Sequence, residues 1–121
     1  MTVTRPGFEP VCKNEMFLCA FITASEQYAP GKVASMKRHN GSDEVFVLLK
    51  GKATLLTGDP LQKQYTRTVL QTGVSYCVEA GTWHYLAVSE DAMIFVAENS
   101  QVSKLNTDEI RMEDQQITVE L

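Results

Sequence analysis

The sequence predicts an all-β fold, one domain of short antiparallel strands arranged as a sandwich or barrel. Three observations lead there. Short runs rich in β-branched and aromatic residues recur through the first hundred positions. Gly, Pro, Asn and Asp punctuate them at short intervals, which suits strands joined by tight turns better than a βαβ repeat. A helical period of apolar residues is hard to find before residue 100. A chain of 121 residues can bury a real core and has no room for a second domain.

The elements follow in order. Residues 17–23 read as a strand. Tyr28-Ala29-Pro30-Gly31 is a turn, and an alternating strand follows over 32–38. Asn40-Gly41-Ser42-Asp43 is turn chemistry, because Asn and Asp side chains bond their own backbone and Gly tolerates unusual φ. A strand over 44–49 is broken by Gly51 and resumes over 53–57. Gly58-Asp59-Pro60 is a loop. Further strands are expected over 65–70, 75–78, 85–88 and 93–97. Residues 101–121 are polar and acidic and read as a C-terminal extension, with a helical turn over 107–113 and a last strand over 117–121.

Composition narrows the partners. The net charge is −4, and no Lys/Arg cluster stands out, so nucleic acid is not an expected partner. The longest apolar runs fall far short of a spanning helix, so no membrane is expected. Cys12, Cys19 and Cys77 are odd in number and lack a CxxC spacing, which predicts free thiols. Cys19 sits in an apolar run and reads as a buried, inert thiol; Cys77 reads as a packing residue. With no signal-peptide pattern in the first twenty residues, the expected location is cytoplasmic.

The chemistry concentrates in two segments. In the first, Gly31 is followed after five residues by Lys37, then by His39, Glu44 and Gly51; in the second, Gly73 is followed by Glu79, Gly81 and His84. Both histidines of the chain are in this set. Two imidazoles and a carboxylate make a facial site for a divalent transition metal: iron, manganese, nickel or zinc. Lys37 and His39 are two residues apart on one strand and so share a face. A lysine facing inward needs a partner, and Glu44 and Glu98 are the candidates. Two pictures result. Either a metal sits on His39, Glu44 and His84 while Lys37 meets an anionic substrate, or the Lys37 ammonium pairs with Glu44 in the metal's place. Phe46, Tyr76, Trp83 and Glu98 are candidates for the walls of the pocket.

The spacings resemble the two motifs of the cupin superfamily, Gly-x5-His-x-His-x3–4-Glu-x6-Gly and Gly-x5-Pro-x-Gly-x2-His-x3-Asn. The first corresponds to residues 31–51 and the second to residues 73–88, with Lys37, Glu79 and Val88 in place of the usual His, Pro and Asn. The resemblance implies a small single-domain protein over residues 1–121, built as one cupin-type jelly-roll β-barrel with a ligand pocket at its mouth. It also implies a metal-ligand role for His39, Glu44 and His84, and a homodimer. The expected function is binding of a small molecule, as a metal-dependent enzyme of isomerase, oxygenase or lyase type. Its substrate would be a sugar, sugar phosphate or small organic acid, with Lys37 and Glu44 as the catalytic groups. The alternative is a non-catalytic binding or sensing module in which Lys37 and Glu44 replace the metal.

Overall fold

A computed structural model describes residues 3–121. The strands are β1 (Gly7–Lys13), β2 (Phe17–Thr23), β3 (Gly31–Lys32), β4 (Ser35–His39), β5 (Glu44–Lys50), β6 (Ala53–Asp59), β7 (Gln64–Val69), β8 (Ser75–Val78), β9 (Trp83–Val88), β10 (Met93–Asn99), β11 (Thr107–Arg111) and β12 (Thr118–Val119). A single 3-10 turn, Glu26–Tyr28, lies between β2 and β3. One sheet has the order β1-β2-β10-β5-β8, the second β11-β4-β9-β6-β7, and β12 pairs with β3 as a separate ribbon. All pairings are antiparallel. This is the all-β, jelly-roll arrangement the sequence predicts. The two large sheets pack face to face, and no ladder joins them among the described residues.

Strand periodicity explains the layers. In β5 the inward positions are Glu44, Phe46 and Leu48; in β10 they are Ile94, Val96 and Glu98. These meet Leu55, Leu86 and Val88 of the second sheet in the main core. β6 and β9 instead carry consecutive buried residues, Leu55-Leu56 and Leu86-Ala87-Val88, as strands covered on both faces do. Their outer cover is a second cluster in which Val33, Met36, Met112 and Val119 pack on Leu56 and Ala87. The C-terminal residues therefore help to form a core layer.

The structure corrects several expectations. Residues 7–13 form an additional edge strand. The expected strand over 32–38 is split at Val33-Ala34 into β3 and β4. The helical turn expected over 107–113 is strand β11, paired with β4 from Thr107↔His39 to Arg111↔Ser35. The unpaired edge of β4 offers it backbone partners, and tertiary pairing overrides a weak local preference. β9 begins at Trp83, which brings His84 into the sheet. Cys19 is only half-buried and Cys77 is exposed, because both lie on the outer face of the first sheet. No helix of the described residues is long and apolar enough to cross a membrane.

Candidate metal centre

Three elements deliver the central side chains. His39 is the last residue of β4, Glu44 opens β5 after the Asn40–Asp43 connection, and His84 is the second residue of β9. Gly81 links the two segments: its N–H donates to the carbonyl of His39 at 2.8 Å. Its φ is +82°, and a Cβ there would meet nothing within 4 Å. The requirement for glycine is thus backbone conformation, not space.

The ligand atoms of His39, Glu44 and His84 all lie within 4.8 Å of one another. Glu44 Oε1 is 3.1 Å from His84 Nε2 and 3.7 Å from His39 Nε2. His84 and Glu44 are 8% and 5% exposed, so water cannot readily screen this contact. The other ring nitrogens settle what faces the centre. His84 Nδ1 is 3.0 Å from the carbonyl oxygen of Thr82, which can only accept, so Nδ1 carries the proton and a neutral ring turns its Nε2 lone pair inward. His39 Nδ1 lies 2.9 Å from Thr107 Oγ1; in the tautomer that donates to that hydroxyl, Nε2 is free as well. Buried Glu44 Oε1 has no hydrogen-bond partner. Two ring nitrogens and an orphaned carboxylate oxygen converge on one point, a donor set that fits a divalent transition metal.

The electrostatics agree. Burial pushes Glu44 up, but with no cation in the site the two rings beside it, His84 first and then His39, more than offset this and hold it below the usual carboxylate range. His39 is held below its ordinary value, chiefly by burial and also by the nearness of His84 and Lys37, against the pull of Glu44. The shift favours the neutral ring, which is the form that ligates a metal. Glu98 faces Glu44 across the β5–β10 ladder. Burial first, and then the Glu44 charge, push its carboxyl up to about 8, and its Oε2 is buried without a partner.

A cavity of about 580 Å³ opens beside this cluster. Lys37, Phe46 and Glu98 line it together with the three clustered residues. Tyr76 and Trp83 do not. Trp83 precedes His84 on β9 and so points to the opposite face, where Arg38 stacks on its ring at 4.6 Å. Tyr76 packs at the β8 edge against the main core, its hydroxyl accepting from the Gln71 N–H. Lys37 is exposed and makes no ion pair with Glu44 among the described residues, so the sheet does not build the lysine-for-metal picture.

Sequence reasoning missed Phe8, Gln27, Tyr28 and Lys32, which also line the cavity. Tyr28 comes from the 3-10 turn, and burial, then the nearby carboxylates Glu44 and Glu98, raise its hydroxyl above the usual range. Tyr85 lines the wall and donates its hydroxyl to the Ala29 carbonyl at 2.5 Å. The only signal for the 3-10 turn was the Tyr-Ala-Pro-Gly stretch, and nothing in it indicated a contact with the centre.

The Cupin domain family profile matches residues 24–97, more than half of the chain. The chain belongs to the cupin domain family. No curated protein sequence matches this cupin. Among solved structures it is similar to a cupin-2 domain containing protein from Shewanella frigidimarina, with 17% identity over 80% of this chain and 84% of that one and a TM-score of 0.60. It is similar to the WlaRB TDP-quinovose 3,4-ketoisomerase from Campylobacter jejuni, with 16% identity over 80% and 71% of the chains and a TM-score of 0.60. It also resembles Fe(II) HppE, with 18% identity over 76% of this chain and 48% of that one and a TM-score of 0.53. At such identities the likeness is one of fold. Within this cupin, the glycines Gly31, Gly51, Gly73 and Gly81 of the two motifs all have positive φ. Lys37 stands beside the centre where the family pattern has a histidine.

Proposed function

We propose that this cupin is a metal-dependent enzyme that binds a sugar, sugar phosphate or small organic acid in the cavity beside His39, Glu44 and His84. The observation that carries the reading is the convergence of two Nε2 atoms on a buried carboxylate oxygen that has no hydrogen-bond partner. Like-facing acceptors are costly when buried, and a bound cation relieves them. Iron, manganese, nickel and zinc all suit this donor set. A bound metal would supply Lewis acidity toward a carbonyl or hydroxyl oxygen of the substrate.

The chain's own residues do the rest. Lys37 makes no ion pair among the described residues and is free to anchor the anionic end of a substrate or to carry a proton to it. Glu44 orients the metal side of the site and holds the negative charge there. Glu98 offers an unpartnered oxygen to a substrate hydroxyl, and Phe46 excludes water from one wall. We further read the protein as a cytoplasmic homodimer with no nucleic-acid or membrane partner.

Elemental analysis of protein purified without a metal-affinity tag tests the central claim. About one transition metal per chain is expected, either as purified or after soaking with Fe(II), Mn(II), Ni(II) or Zn(II) and desalting. A metal-free protein after all four soaks would leave only a binding module.

A further inference from the structure

We propose that Cys12 and Cys19 form a reversible disulfide that staples the β1–β2 hairpin on the face of the molecule opposite the cavity. The two cysteines are direct register partners in the antiparallel β1–β2 ladder. The pairing depends on a bulge. Pro10 pairs with Ala20, and the register then shifts so that Cys12, not Val11, stands opposite Cys19. Bulges re-aim side chains in this way. Directly opposed antiparallel residues share a face, with Cα atoms about 4.5–5.5 Å apart. Disulfides span Cα separations of about 4.4–6.8 Å, so register partners have the spacing that such a bond needs.

Access and rigidity favour the same site. Cys12 is exposed and Cys19 half-buried, and both are free thiols. The hairpin tip between them is held by Asn14, whose Oδ1 accepts from the N–H groups of Met16 and Phe17 and whose own N–H donates to the Phe17 carbonyl. The third thiol is out of reach. Cys19, Ala97, Val45 and Cys77 form one row across four strands, which puts Cys77 roughly 14 Å from Cys19 at normal strand spacing.

The oxidant is a small-molecule disulfide of the glutathione type. The Cys12 thiolate attacks one of its sulfurs, forming a mixed disulfide and expelling one thiolate. The Cys19 thiolate then attacks the Cys12 sulfur and expels the second. Two S–H protons are released, one protein S–S bond forms, and the oxidant is reduced to two thiols. The bond braces a hairpin whose inner face supplies Phe8 and Ile22 to the cavity and whose Leu18 is the register partner of Glu98.

Incubation of the intact protein with oxidised glutathione, followed by unfolding and thiol titration, tests this directly. The titre is expected to fall from three thiols to one and to return to three with dithiothreitol. Trypsin cuts after Lys13, so the bond would join peptides 1–13 and 14–32 in the mass spectrum. Cys77→Ser should lose two thiols in the same treatment, whereas Cys19→Ser should keep glutathione on Cys12. Stable glutathione adducts on Cys12 of the unsubstituted protein, bonds that involve Cys77, disulfide-linked dimers, or an unchanged titre of three would each overturn the proposal.

Discussion

His84 shows how much one residue is asked to do. Its Nδ1–H is committed to the Thr82 carbonyl, which fixes the ring and aims Nε2 at Glu44. Even loss of a group that only orients a ligand costs metal affinity roughly 10–100-fold. His84→Ala, which removes the ligand itself, should weaken divalent-metal binding by more than about 100-fold in calorimetry while the circular dichroism stays all-β. Lys37 is the opposite case. Its ammonium adds to the positive charge near His39 and repels a cation. Lys37→His should tighten metal binding by about tenfold, ~1.4 kcal/mol; equal or weaker binding by a folded variant would mean that position 37 does not face the metal.

Glu98 gives a pH dependence with a definite sign. Its carboxyl is raised from 4.5 to about 8 in the folded protein, first by burial and then by Glu44. The folded state therefore holds a proton that the unfolded state gives up. That contribution is fully present below 4.5 and is lost as pH rises toward 8. In the presence of chelator, Glu98→Gln should flatten this loss between pH 5 and pH 8 in urea melts. An unchanged slope would show that Glu98 ionises normally.

At the scale of elements, the turn from β5 to β6 is the most constrained connection. Gly51 has φ +79°, and a Cβ there would stand 2.6 Å from the Cα of Ala92 and 2.8 Å from its N. Neither atom is the end of a flexible side chain, so relief must come from the backbone. Gly51→Ala should destabilise the fold by about 1–3 kcal/mol, the range for overpacking. A denaturant midpoint matching that of the unsubstituted protein would show that the β5–β6 turn can open. β11 teaches a different lesson. Thr107–Arg111 has no strong local code, yet it lies along β4, and Thr107 meets the ring of His39. A segment far from either motif thus orients one of the three central side chains.

At the scale of the molecule, two sheets bring His39, Glu44 and His84 together from β4, β5 and β9, and a cation held by them would tie the sheets to each other. Binding to the folded state alone stabilises it by about 2.7 kcal/mol at a hundredfold excess over Kd. Saturating metal should therefore raise the melting temperature by several degrees, and a chelator should reverse the rise. A melting temperature indifferent to all four metals would argue that the three side chains do not hold an ion.

The sequence by itself determined the strand-and-turn character, most strand positions and the pair of segments that hold His39, Glu44 and His84. Those features are local: period-two patterning, turn residues, and glycines whose positive φ their own neighbours demand. It also put Phe46 and Glu98 forward as pocket candidates, and the structure has both on the inward face, where burial alternates along β5 and β10. Only the tertiary structure decided that Trp83 and Tyr76 stand away from the cavity, that Tyr28 enters it, and that residues 107–111 pair as a strand. Those outcomes depend on which sheet edge is left open and which face is covered by distant residues. Such long-range pairing leaves almost no trace in a local window of sequence.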